Sequence, residues 1–182
     1  GGYWQELSKR EAFFPAPNVL AKGMGFATID YSLAPAASIT DIVCECVEAV
    51  TFLNQVSSAY GYDPKKIVLS GSSAGAHLAA MCCIELPVNF LPAANILMSG
   101  IYDLEPLIGT YINEALSLDH ETALNVSPQF KKLDVFPPSL ICWGENDTDE
   151  FKRQSCAFAD ELERRKVAIE AVEVRGRNHF DL

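Results

Sequence analysis

Apolar and polar positions along the chain fall into two repeating textures. Short β-branched-rich runs recur at "GFATIDY" (25–31), "KIVLSG" (66–71), "NILMSG" (95–100), "PSLICWG" (138–144) and "AIEAVEV" (168–174). Each has the length and makeup of a strand. Between them lie helical patterns. Residues 38–61 put Ile42, Val43, Cys46, Ala49, Val50 and Leu53 on one face at a 3.6-residue period, and Ser38 with Asp41 three places on makes a capping signal. "AGAHLAAMCCIEL" (74–86) and the amphipathic stretch 149–166 read as two more helices. From about 104 to 133 the period is lost and only short helical patterns remain. That stretch reads as an irregular, partly helical insertion within one domain spanning 1–182.

Strands that alternate with helices imply parallel pairing through crossovers. The expected fold is α/β, with a central, mostly parallel sheet and helices on both faces. In such sheets a ligand sits beyond the carboxyl ends of the strands. The residues to interrogate are therefore 70–75, 100–103, 144–149 and 176–181.

The first of these segments carries Gly71-Ser72-Ser73-Ala74-Gly75, a G-x-S-x-G pattern centred on Ser73 between a strand and a helix. A sharp strand-to-helix turn of this kind exposes a serine hydroxyl, and glycine at both flanks leaves room for it. A serine nucleophile needs a base, and the base needs a group to orient it. Three histidines are available. His77 lies on the same helix as Ser73 and reads as packed; His120 falls in the irregular region and reads as a surface residue. His179 follows the last strand and is the base by position. Asp147, after strand 138–144, is the first choice of acid. Glu145, Asp149 and Glu150 are rivals, with a helix-start role for the last two, and Asp103 is a second choice. The order Ser73, Asp147, His179 is that of an α/β-hydrolase triad. An oxyanion hole would draw on Ala74 N–H and on the adjacent glycines Gly1 and Gly2.

Composition narrows the partners. The 182 residues carry a formal net charge of −10, which repels polyanions and excludes a nucleic-acid surface. No apolar run is long enough for a membrane span. The six cysteines lie within strand-like or helix-like stretches without metal-site spacing, so they read as buried, reduced thiols of a cytoplasmic protein. The chain starts at Gly1 with neither initiator Met nor signal peptide.

Several stretches together carry a family likeness: "GGYWQ", "IDYSLAPAASITDIV", "GSSAGAHLAAM", "SGIYDLEPL", "NEALSLD", "WGENDTDEFKRQS" and "NHFDL". They resemble the arylformamidases (kynurenine formamidases), in the lipase/esterase branch of the α/β-hydrolases. The resemblance implies an α/β-hydrolase fold lacking some N- and C-terminal elements, since the family carries a His before the two glycines, earlier strands and a later helix. It implies hydrolysis of N-formyl-L-kynurenine to L-kynurenine and formate through a formyl-enzyme, with no cofactor and no metal. The partner would be a small aromatic formamide or ester, with no nucleic acid and no membrane, and a homodimer is left open. Tyr3, Trp4, Tyr102 and Phe180 would stack on the aryl ring; core packing is the alternative for each. Two other functions stay open: a general carboxylesterase, and a non-catalytic binding protein on the hydrolase fold.

Overall fold

The computed structural model describes all residues, Gly1–Leu182. Its sheet has four parallel strands, β1 (Val68–Ser72), β2 (Ala94–Met98), β3 (Ser139–Gly144) and β4 (Ile169–Val174), in the order β1-β2-β3-β4. Sequence order and spatial order coincide, so each crossover steps the same way across the sheet. Right-handed connections then place the intervening helices on one face. That is where they lie: α3 (Ala74–Glu85) and α6 (Asp149–Arg164) bury Ala76, Ala79, Ala80, Cys83, Phe158, Ala159 and Leu162 against Leu97, Ile141 and Trp143 of the strands. The helix α2 (Ile39–Tyr60) packs on the back of α3 through Ile42, Val43, Cys46 and Val50. The expected α/β-hydrolase pattern of parallel sheet and helices is present, but within this chain the helices cover one face of the sheet, not both, and Val68, Ser70 and Ala171 are exposed.

Local chemistry explains the helix ends. Ser38 accepts from Asp41 N–H while Asp41 accepts from Ser38 N–H, a reciprocal cap at the start of α2. Gly61, at φ 72°, closes it. Three short helices, α1 (Ala16–Leu20), α4 (Asn113–Leu116) and α5 (His120–Asn125), complete the set. The last two lie within the irregular 104–133 stretch, and α5 is capped by Asp119 with Thr122.

The strand expected over 25–31 does not form. Those residues have no ladder partner; they run beside the first loop, where Asp30 accepts from Lys9 N–H at 2.6 Å and Thr28 donates to the Lys9 carbonyl. An apolar run becomes a strand only where a neighbouring backbone pairs with it. The cysteines also need a correction: all six are free, but Cys44 and Cys156 are exposed rather than buried. No helix is long and apolar enough to cross a membrane.

At the carboxyl end of β1 the chain turns directly into α3. A Cβ on Gly71 would lie 2.2 Å from the Gly75 backbone carbon and oxygen, a gap no side chain tolerates. A Cβ on Gly75 would meet nothing within 4 Å. The turn therefore needs the first glycine for close approach, and the expectation that both glycines avoid a collision holds only for Gly71. Gly71→Ala should cost roughly 1–3 kcal/mol of stability, as an overpacked site does. Gly75→Ala, inside a helix with free space, should be neutral or raise stability by about 0.4–1 kcal/mol. Urea midpoints of the two variants that moved alike would contradict this asymmetry.

Candidate active site

Parallel register brings the ends of β1, β2 and β3 level, with Ser72 beside Met98 and Met98 beside Cys142. The residues just beyond, Ser73 and Ser99, continue the row: Ser73 N–H donates to the Met98 carbonyl at 2.9 Å and Ser99 N–H to the Cys142 carbonyl at 2.8 Å. Ser73 has φ 57° and ψ −122°, a conformation that costs a non-glycine residue of order 1–3 kcal/mol and persists only when its surroundings enforce it. Here the Gly71–Gly75 contact and the ladder bond to Met98 hold it. Ala74 N–H, at the start of α3, has no hydrogen-bond partner within the chain, as expected of a helix's first amide.

Beyond β3, Asp147 is almost fully buried and accepts three hydrogen bonds. They come from His179 Nδ1 at 3.1 Å, from Gly144 N–H at 2.9 Å and from the Ser99 hydroxyl. The segment carrying His179 crosses close over the end of β3, where a Cβ on Gly144 would lie 2.6 Å from the Arg177 carbonyl oxygen. Tight backbone packing thus sets the imidazole beside its carboxylate. The rival acids are otherwise engaged: Glu145 accepts from Gly176 N–H, Glu150 pairs with Arg153, and Asp103 accepts from Glu105 N–H. Asp149 is in the first turn of α6. Ser73 Oγ and His179 Nε2 make no hydrogen bond to each other. The structure therefore joins Asp147 to His179 directly and sets Ser73 on the same sheet edge without a hydrogen bond to either.

The first loop reaches this edge by an unusual backbone path. Gly2, Tyr3 and Trp4 all have positive φ, at 56°, 50° and 62°. At Gly2 an added Cβ would also press on Glu6 at 2.8 Å. Gly2 N–H is free of partners, whereas the Gly1 nitrogen donates to the Tyr31 hydroxyl at 2.8 Å. Of the three expected oxyanion donors, Gly2 and Ala74 have backbone amides without a partner in the chain. The Trp4 indole anchors the loop. Its Nε1–H donates to His77 Nδ1 at 3.2 Å, so His77 carries its proton on Nε2 and donates it to the Val126 carbonyl at 2.7 Å.

Two of the four expected ring-stacking residues are core residues instead. Trp4 is sealed against His77, edge to face at 4.9 Å. Tyr102 is equally buried, stacked on Phe158 at 4.2 Å and 9°. Neither presents a face to a ligand. Tyr3 is partly exposed, and Phe180 is 94% exposed. His120 is a surface residue paired with Glu105. The sequence reading missed Ser99, a buried serine at φ 44° whose only signal was its place one residue beyond a strand. It also missed Phe151, which lies against His179.

The BD-FAE family profile matches residues 1–96. The chain belongs to the BD-FAE family. This BD-FAE chain is 34% identical to kynurenine formamidase of Danio rerio, over all of its own length and 64% of that protein. It is 28% identical to isoprenylcysteine alpha-carbonyl methylesterase ICME of Arabidopsis thaliana, over 86% of its length and 43% of that protein. The chain thus spans about two thirds of one relative and less than half of the other. Among solved structures, carboxyl esterase 2 of Tuber melanosporum superposes with a TM-score of 0.86 at 22% identity, covering 99% of this chain and 67% of that one. The esterase Est2 of Thermogutta terrifontis gives 0.80 at 26%, covering 99% and 70%.

Burial holds His77 neutral by pushing its pKa down from 6.5 to about 4. Unfolding restores an ordinary imidazole, which takes up a proton below about pH 6.5. The unfolded chain therefore binds more protons between those two values. This contribution to stability is whole above pH 6.5 and is lost as pH falls toward 4, on the order of 3 kcal/mol. His77→Gln keeps one donor and one acceptor without titrating, so it should flatten the stability–pH slope by about one proton in that window. Urea titrations at several pH values measure this, and an unchanged slope would contradict it.

Proposed function

We propose that the protein carrying this chain is a serine hydrolase that cleaves N-formyl-L-kynurenine to L-kynurenine and formate. The observation that carries the chemistry is the Asp147–His179 pair, a buried acid beside a half-buried imidazole, on the sheet edge that also bears the strained Ser73. The likeness to kynurenine formamidase over the whole chain supports the substrate.

In this reading His179 takes the proton of Ser73 Oγ as the oxygen attacks the formyl carbon. Asp147 keeps the proton-bearing Nδ1 fixed and balances the imidazolium that forms. Negative charge on the carbonyl oxygen is met by the free amides of Ala74 and Gly2. His179 then hands its proton to the aryl amine nitrogen as the C–N bond breaks, leaving a formyl ester on Ser73. Water, deprotonated by the same imidazole, attacks that ester, and formate departs as the serine regains its proton. Every step moves protons and acyl carbon among the chain's own side chains, the substrate and water. Tyr3 and Phe180, the two candidate rings with exposed surface, would flank the aryl group. Six free thiols, two of them exposed, support a reducing compartment such as the cytoplasm.

A second reading is a general carboxylesterase, favoured by the likeness to a plant methylesterase and by the esterase folds. Acyl size separates the two. A formyl group carries only hydrogen beyond its carbonyl, and one methyl too many in a tight site costs roughly 1–3 kcal/mol, about 5- to 150-fold in rate. The full-length protein should therefore turn over N-formyl-kynurenine faster than N-acetyl-kynurenine by at least the lower figure. Equal kcat/KM for formyl and butyryl substrates would favour the esterase.

Site substitutions test the triad itself. Ser73→Ala should lower kcat by about 10⁴-fold or more. Asp147→Asn should be comparably severe, while Asp103→Asn should leave most activity in place. The reverse ranking of the two aspartates would assign the acid to Asp103. Ser99→Ala removes one of three hydrogen bonds to the Asp147 carboxylate and should lower kcat by up to about 10- to 150-fold with little change in KM, the range for losing a hydrogen bond to a charged group.

A further inference from the structure

The imidazole of His179 touches three groups, and they meet it from different directions. Asp147 meets its edge at Nδ1. Phe180, the next residue in the chain, approaches edge-on at 5.3 Å and 89°. Phe151 covers the ring's face, with centroids 4.1 Å apart and planes 31° apart.

Phe151 and Phe180 differ in how firmly they are held. Phe180 is almost wholly exposed. Phe151 belongs to the first full turn of α6, a 16-residue helix docked on the sheet, and packs against the main helical core. Its backbone lies in the helix that directly follows the Asp147 loop, so the acid and the aromatic ring are set beside His179 by one continuous segment.

We propose that Phe151 is a positioning residue for the hydrolysis proposed above, acting through His179. Its ring face fixes the plane of the imidazole against the Asp147 carboxylate. The same face favours the imidazolium present between proton abstraction and proton return. The inference rests on Ser73 and His179 being nucleophile and base.

The physical reason lies in the charge distribution of an aromatic ring. Its faces are electron-rich, so a cation within about 6 Å of the centroid is attracted while a neutral ring gains far less. Each half of the proposed reaction makes His179 cationic once. A contact that strengthens as charge develops lowers the barrier rather than merely binding the ground state. The other charges near the imidazole do not take this place. Asp147 acts at the ring edge. On α6, Glu150 is engaged by Arg153 and Gln154, and Lys152 reaches the Glu145 carbonyl. On the segment of His179 itself, Asp181 accepts from Asn178 N–H at 2.6 Å and faces Arg177.

A leucine at 151 would fill much of the same space, so simple truncation cannot separate packing from charge. Phenylalanine analogues with one, two and three ring fluorines can, because they keep the shape while draining the ring face of electron density. Full-length protein carrying each analogue at position 151 would be assayed with N-formyl-kynurenine. The expected result is a stepwise fall in kcat, about 2- to 30-fold across the series, with KM unchanged. Phe151→Leu should match the most fluorinated protein, and Phe151→Trp should restore kcat. A flat kcat across the fluorine series, with Ser73→Ala inactive, would overturn the role of Phe151 and leave the hydrolase reading standing. An inactive parent protein, or a Ser73→Ala variant as active as the parent, would overturn the hydrolase reading and this inference with it.

Discussion

The contact between Gly71 and Gly75 is the constraint on which the rest of the site depends. Their backbones approach so closely that even one methyl group on Gly71 would collide with the first turn of α3. That approach lets β1 pass into α3 without a loop, and it forces the intervening Ser73 to a positive φ. The serine is thereby raised at the sheet edge, with the free Ala74 amide beside it. Strain at one residue is sustained by close packing at two others and by the ladder bond to Met98.

Around this turn, buried polar contacts bind separate parts of the chain to one edge. Trp4, His77 and Val126 form a hydrogen-bonded line from the first loop, through α3, to the end of α5. Gln154 of α6 accepts from Tyr102 and Asp103 N–H and donates to the Asp103 carbonyl, which ties the loop after β2 to the helix after β3. Ser99 joins the end of β2 to Asp147. Each of these groups is buried, so leaving any of them unpaired would be costly. Segments far apart in sequence are therefore held to one geometry by the expense of breaking these pairs, more than by the strength of any single bond.

The relatives share this architecture while differing in what they act on. The chain aligns along its whole length with a kynurenine formamidase and along most of it with a methylesterase. In the proposed reaction an edge of serine, acid and histidine would suit amides and esters alike, because both pass through a tetrahedral centre with charge on one oxygen. Discrimination then falls to the walls around the acyl and leaving groups. Under the proposed function the first loop, the 104–133 stretch and the segment around His179, the least regular parts of the fold, would supply those walls.

Much of this was legible in the sequence, for reasons that are local. Period and composition located four of the five expected strands and all three long helices, because each is set by which residues face the core. Ser38 with Asp41 marked a helix start, since a cap is made within one turn. Gly71 and Ser73 stood out because a strand-to-helix turn restricts its residues within five positions. What the sequence could not decide was anything that depends on a partner distant in the chain. Residues 25–31 have the texture of a strand but no backbone alongside to pair with. Trp4 and Tyr102 look like ligand-stacking rings until tertiary packing seals them against His77 and Phe158. Ser99 and Phe151 look ordinary until the register of the strands and the docking of α6 bring them to Asp147 and His179. Local steric and hydrogen-bonding rules act between near neighbours and are written in the sequence. Burial, pairing and contact across the sheet edge arise only when distant segments meet, and those the tertiary structure alone decided.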